Sequence, residues 1–309
     1  MSAPLVGRLA IIGAGLIGSS VARAVREKGL AGTVVVADRD AGVRARVREL
    51  GFADEVPETA AEAVADADIV IVCVPVGASG AVAAEIGPAL KPGAILSDVG
   101  SVKAAVVEQM APHVPAHAHL VPAHPVAGTE FSGPDAGFAS LFENRWCIVT
   151  PVADADPAAV ERLSVLWSGM GANVETMSPQ HHDLVLAITS HLPHLIAYNI
   201  VGTAADLEQT LTSEVIKFSA GGFRDFTRIA ASDPTMWRDV FLYNREAVLE
   251  MLGRFTEDLT ALQRAIRYGD GQTLFDHFTR TRAIRRSIIE QGQETAAPDF
   301  GRHLVAAKK

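Results

Sequence analysis

The stretch Ala123-His124-Pro125-Val126-Ala127-Gly128-Thr129-Glu130 holds one imidazole in a poor helix and a poor strand. Proline restrains itself and His124, and Gly128 permits a sharp turn. The expectation is an ordered loop holding a ring that exchanges a proton near neutral pH. Upstream, Asp98-Val99-Gly100-Ser101-Val102-Lys103 presents a hydroxyl and an amine. Downstream lie Ser190-His191-Leu192-Pro193-His194 and Gly221-Gly222-Phe223-Arg224-Asp225-Phe226-Thr227-Arg228-Ile229-Ala230. Two arginines in a loop are surface charges by default. Set between Phe223, Phe226 and Ile229, Arg224 and Arg228 are expected to be partly buried and so to need an anionic partner. A base, a hydroxyl and paired cations suit proton abstraction from a small anion.

The elements that must position these groups begin with a buried strand over 8–12. It runs into Gly13-Ala14-Gly15-Leu16-Ile17-Gly18 and a helix with apolar Val21, Ala24 and Val25, ending at Gly29. Gly13 makes the turn, Gly15 lets backbone amides approach a pyrophosphate, and Gly18 lets the helix pack on the strand. Leu16 and Ile17 open the helix whose first turn faces the cofactor. A second strand, 33–37, ends at Asp38, about 20 residues beyond Gly18, where a ribose-binding acid belongs. A lone glycine motif is a weak signal, but strand, helix, strand and acid in order read as a Rossmann unit. Asp38 favours NAD and repels the extra phosphate of NADP, while Arg39 softens that preference and leaves NADP as a weaker alternative.

Further strands at 68–74, 94–98, 119–122, 146–149 and 173–177 alternate with helices at 77–90, 103–110 and 157–170. The expected class is α/β: an N-terminal Rossmann-type, mostly parallel sheet over 1–177, then an all-helical C-terminal dimerisation domain over 178–309. A flexible tail is expected after about residue 291. Ligands of open α/β sheets lie beyond the strands' carboxyl ends. Val74-Pro75, Gly100-Ser101 and Ala123-His124 all leave such ends and should converge, which makes His124 a candidate base rather than a turn residue. From Ser178 the pattern is helical, with Ser178 as N-cap and Pro179 in the first turn. Pro193 should kink or locally open the helix. His181, His182, His191 and His194 lack an acidic zinc motif, so no metal is expected. His194 reads as a polar wall of the site, whereas satisfied or surface histidines account for the other three as well as any role. Apolar stripes through Val240, Val248, Leu252, Phe255, Leu259 and Leu262 exceed what one thin domain buries, so a homodimer is expected.

Segments 98–103 (D-V-G-S-V-K), 124–130 (H-P-V-A-G-T-E), 190–194 (S-H-L-P-H) and 221–230, followed by Asp233-Pro234 and Met236-Trp237, occur here in one order. Together they resemble the prephenate/arogenate (cyclohexadienyl) dehydrogenase family of tyrosine biosynthesis, from Arg8 to about Ile289. The resemblance implies NAD-dependent oxidative decarboxylation of prephenate to 4-hydroxyphenylpyruvate, of arogenate to tyrosine, or both. It implies His124 as general base and Ser101 as the residue aligning hydroxyl and imidazole, beside the cofactor with Val74 and Pro75. Arg228 would grip a substrate carboxylate, and Arg224 and His194 would contact the substrate. Thr129 and Glu130 would line or gate the entrance. No mutase module or regulatory domain is recognised, so tyrosine inhibition and the choice between prephenate and arogenate stay open.

Composition narrows the field. Hydrophobic residues make up 49% and charged residues 20% of the 309, an ordinary globular balance with room for two domains. The net charge of -9 disfavours a nucleic-acid surface. Cys73 and Cys147, in apolar runs, read as buried reduced thiols. No leader is recognised, and no apolar stretch is expected to reach membrane-spanning length, so the expected location is the cytoplasm, away from membranes. Two alternatives remain. A β-hydroxyacid dehydrogenase of similar plan relies on a lysine in its linking helix, and 178–205 has none. The other alternative is a dinucleotide-sensing protein without turnover, against which the Ser101, His124 and Arg228 set argues.

Overall fold

The computed structural model describes residues 4–129, 131–211 and 220–290. By packing, the chain divides into two compact units, Met1–Met251 and Leu252–Lys309.

The first unit is built on β1 (Val6–Ile12), α1 (Leu16–Glu27), β2 (Ala31–Ala37), α2 (Ala41–Leu50), α3 (Ala60–Val64) and β3 (Ile69–Val72). It continues through α4 (Ser79–Ile86), β4 (Ile95–Asp98), α5 (Ala104–Met110) and β5 (His119–Leu120). The five strands form one parallel sheet in the order β2-β1-β3-β4-β5. Ile69, Val70, Ile71 and Val72 are all buried, as expected of a strand covered on both faces. Alternate strand residues feed two cores, Ile69 and Ile71 on one face and Val70 and Val72 on the other.

Pro122 ends the parallel ladder because it has no N–H to give, while its carbonyl accepts from the Thr150 N–H at 2.9 Å. The chain then enters a second sheet, β6 (Ala123–Pro125), β7 (Trp146–Val149) and β8 (Asn173–Thr176), with α6 (Pro157–Gly169) between the last two. β6 pairs antiparallel with β7, and β7 parallel with β8. His124 therefore stands on a strand opposite Ile148 rather than in the expected loop. Sheet pairing overrides the local preference of a His-Pro dipeptide, since Pro125 closes the strand where no further donor is required.

The helical part of this unit comprises α7 (Pro179–Leu186), a π-helical turn (Ala187–His191), α8 (Leu192–Leu211), α9 (Gly221–Thr227) and α10 (Pro234–Tyr243). Ser178 accepts from the His181 N–H, as its N-cap position predicts. Pro193 supplies no N–H to the turn before it, and that turn widens into the π-helix. The run Pro179–Asp206 is, against expectation, long and apolar enough by composition to cross a membrane, at a mean hydropathy of 1.5. It nevertheless carries His182, Asp183 and His191 buried against the rest of the unit. Residues 221–230, expected as a loop, fall in α9 and the 3-10 turn that follows it, Arg228–Ala231. Then α11 (Arg245–Tyr268) runs into the second unit, which holds α12 (Gly271–Glu290). The tail expected beyond 291 lies outside the described residues.

Candidate active site

The glycine turn is shaped by close approach. Gly13 has φ of +103°, and a Cβ on it would meet the Cys73 carbonyl oxygen at 2.4 Å. A Cβ on Gly18 would lie 2.0 Å from the Gly13 oxygen, whereas nothing stands within 4 Å of the same position on Gly15. The two tight glycines pack α1 on the sheet, and Gly15 leaves space for a ligand. No side chain caps α1 and no acid lies in its first turn, so the amides there and the positive end of the helix are available to an anion. Asp38 accepts the Ala14 N–H on Oδ2 at 2.9 Å and the Asp40 N–H on Oδ1 at 2.9 Å. The carboxylate stitches β2 to the glycine turn and keeps lone pairs for a ribose diol. Arg39 is exposed beside it, and Val74 and Pro75 follow β3 half-buried and exposed. Uncapped amides for a pyrophosphate and an acid for a diol fit NAD.

The chemistry-bearing centre is a chain of three side chains. His124 Nδ1 lies 2.8 Å from His182 Nε2, and His182 Nδ1 lies 2.8 Å from Asp183 Oδ1. A carboxylate only accepts, so His182 Nδ1 carries a proton and its Nε2 is a lone pair. His124 Nδ1 must then donate, which leaves His124 Nε2 unprotonated and able to act as a base. Burial pushes the His124 pKa well below the imidazole value of 6.5, helped by His182 and Lys103 nearby. Burial also lowers His182, against the pull of Asp183. His124 keeps only 8% of its surface exposed.

Asp183 is anchored in turn. Its Oδ1 accepts the Lys103 N–H at 2.7 Å and its Oδ2 accepts the Ala104 N–H at 2.9 Å, at the start of α5. The fully buried Lys103 ammonium pairs with Asp98 and donates to the Ala123 carbonyl at 2.7 Å. Asp98 also accepts from Gly100 N–H at 2.7 Å and Ala123 N–H at 3.3 Å. Both backbone groups of the residue before His124 are thus held by one buried ion pair. Such a pair costs desolvation, which its three further hydrogen bonds to backbone groups offset.

Ser101 follows β4 half-buried. His194 donates from Nδ1 to the Ser190 carbonyl at 2.8 Å and stacks on Trp237 at 3.7 Å between ring centroids. Its pKa is lowered by burial and by the positive charge of nearby Arg228. Arg228 and Arg224 are both exposed, which corrects the expectation of partial burial. Phe226 is exposed too, so the aromatics of this segment do not enclose the guanidinium groups. Arg224 pairs with its neighbour Asp225 at 3.4 Å. Thr129 is half-buried, with its hydroxyl accepting from the Phe131 N–H at 3.3 Å, and Glu130 lies outside the described residues. Among the described residues no group of three His, Cys, Asp or Glu is set to hold a metal ion.

Sequence reasoning left His182 open, noted Lys103 only as the amine of the 98–103 segment, and passed over Asp183 and Asn244. At His182 the sequence offered only a polar run, Gln180-His181-His182-Asp183, at the start of a helix that is apolar farther on.

Two family models match the chain: the prephenate dehydrogenase nucleotide-binding domain over residues 21–176 and the prephenate dehydrogenase dimerization domain over 178–280. The cyclohexadienyl dehydrogenase of Zymomonas mobilis is 44% identical over 280 residues, covering 91% of this chain and 95% of that protein. The prephenate dehydrogenase of Bacillus subtilis is 33% identical over 291 residues, covering 94% and 78%. Among solved structures, prephenate dehydrogenase of Aquifex aeolicus in complex with hydroxyphenyl propionate and NAD+ superposes with a TM-score of 0.84 at 32% identity, covering 91% of this chain and 98% of that one. Arogenate dehydrogenase of Synechocystis gives a TM-score of 0.75 at 26% identity, covering 91% and 99%.

Proposed function

The chain belongs to the prephenate dehydrogenase family, and from that premise we propose how its own residues carry the reaction. It is an NAD-dependent oxidoreductase of tyrosine biosynthesis, with prephenate/arogenate (cyclohexadienyl) dehydrogenase activity. The observation that carries the mechanism is the His124–His182–Asp183 chain, which leaves His124 Nε2 as the nitrogen without a proton.

Prephenate is a cyclohexadienol with a carboxylate on the ring carbon opposite the hydroxyl. Bound NAD supplies the hydride acceptor. His124 Nε2 takes the hydroxyl proton as the carbinol carbon gives up its hydride and becomes a carbonyl. The bond to the ring carboxylate then breaks, releasing carbon dioxide. Its electron pair aromatises the ring onto the former carbinol oxygen, to which His124 returns the proton. Asp183, through His182, stabilises the imidazolium that exists between these steps. Ser101 aligns the hydroxyl, and Arg228, beside His194, holds a carboxylate in a bidentate fork. Thr129 lines the entrance, and Arg224 adds positive charge outside it.

The nucleotide is handled by 1–177, and substrate and subunit contacts by 178–309. The homodimer is supported by Leu249, Leu259, Ile266, Phe275 and Phe278, all more than half exposed on helices matching the dimerization domain. Val240 and Val248, counted earlier toward that face, are instead buried within the chain. Two free thiols, Cys73 and Cys147, both pushed up by burial, suit the reducing cytoplasm. The test is purified protein with NAD and either prephenate or arogenate, followed at the reduced-nicotinamide absorbance. Turnover of at least one is expected, and absence of both would overturn the reading.

A further inference from the structure

We propose that Asn244 is a positioning residue for this reaction. From the turn between α10 and α11 it fixes the tautomer of His191 and the backbone of Asp183, and through that backbone the setting of the proton chain. The inference rests on the mechanism above.

Asn244 is buried, and its Nδ2 lies 2.9 Å from the Asp183 carbonyl oxygen and 3.0 Å from His191 Nδ1. A carbonyl oxygen only accepts, so the group facing it must be the amide nitrogen, which settles the orientation of the amide. That nitrogen has two hydrogens. One goes to Asp183, and the other points at His191 Nδ1, which must therefore be a lone pair. His191 is consequently the Nε2–H tautomer. Burial keeps it neutral, pushing its pKa down to about 4 against the pull of Asp183, with His182 and His194 as the other titratable groups around it.

His191 is fully buried, and its Nε2–H has no hydrogen-bond partner of good geometry. Trp237 meets the ring edge-on at 6.1 Å between centroids. The imidazole is thus wedged between Asn244, which reads one of its nitrogens, and the edge-on Trp237 ring. Asn244 holds the backbone of one residue of the proton chain and fixes the tautomer of one buried ring. No part of Asn244 needs to touch substrate or cofactor for this, so cofactor binding should not depend on it.

The test uses the full chain labelled with 15N-histidine. Long-range proton–nitrogen spectra should show His191 as the Nε2–H tautomer in the wild type, with the resonance assigned from its loss in His191→Gln. Asn244→Asp keeps the shape but has only acceptors, so His191 Nδ1 should acquire a proton. The kcat for prephenate should fall roughly tenfold, the factor carried by one or two ordinary hydrogen bonds, with KM for NAD within about twofold of wild type. Should Asn244→Asp not fold, Asn244→Ala, which removes both donors, is read in the same way on kcat and KM. A wild-type His191 protonated on Nδ1, a variant with unchanged tautomer, or a folded variant with near-native kcat would each overturn the proposal. The tautomer is read without turnover, so failure of the wild type to oxidise prephenate would refute the mechanism and leave this test standing.

Discussion

Asp183→Asn is the substitution that most directly probes the proton chain. The carboxylate accepts three N–H groups: the Lys103 backbone at 2.7 Å, the His182 ring at 2.8 Å and the Ala104 backbone at 2.9 Å. An amide has one acceptor and one donor end, so in either orientation one buried N–H meets another donor. That costs about 1–3 kcal/mol of stability. Catalysis suffers separately. The two 2.8 Å bonds and the ring between them place the charge roughly 8 Å from His124, where it stabilises the transient imidazolium by about 2 kcal/mol at an effective dielectric near 20. Its loss alone slows the step roughly 30-fold. The amide orientation that turns Nδ2 toward His182 also inverts both tautomers and puts a proton on His124 Nε2. The ceiling is therefore the whole worth of a general base, about 10²–10⁴-fold. Steady-state kcat and KM, beside a thermal unfolding curve, read both effects. A variant with a lowered Tm but kcat within about threefold of wild type would show that Asp183 only caps α5, and the relay would have to be given up.

Because burial lowers His124, the acid limb of kcat/KM for prephenate should lie below the ordinary 6.5, and His124→Asn should remove the limb with about 10²–10⁴ of kcat; an inflection above 6.5 would contradict the buried neutral base. His191 stays neutral in the native state down to about 4 but protonates from 6.5 once unfolded. The unfolded chain thus binds more protons in that window, and denaturant titrations should show stability falling by up to about 3 kcal/mol as pH drops through it. Arg228→Lys should raise KM for the substrate steeply with KM for NAD unchanged, since the charge survives but the planar fork does not; the reverse pattern, or the same loss from Arg224→Ala alone, would swap the two roles. Gly18→Ala places a methyl 2.0 Å from the Gly13 oxygen, so calorimetry should find NAD binding abolished or the fold lost, and native affinity would refute the packing role of that glycine.

The nucleotide half was legible because its signals are local. Gly13, Gly15, Gly18 and Asp38 do their work within one strand-turn-helix-strand unit, where spacing along the chain equals spacing in space. That His124 and Ser101 follow strands of the parallel sheet was also legible, because β5 and β4 end on the same side of it. His182 and Asp183 were not, since adjacent polar residues on a helix read equally well as a solvated face. What gives them a role is a partner 58 residues away in sequence. The strand at His124 likewise depended on β7, which supplies hydrogen bonds that no property of His-Pro predicts. The arginines erred in the opposite direction, for flanking aromatics imply burial only if the segment turns inward, and α9 leaves Phe226 facing out. Protonation was the last thing tertiary structure decided. An imidazole has two equivalent tautomers until a neighbour selects one: the adjacent Asp183 carboxylate, which can only accept, fixes His182, and only the folded chain brings the unprotonated Nε2 of His182 within 2.8 Å of His124 Nδ1.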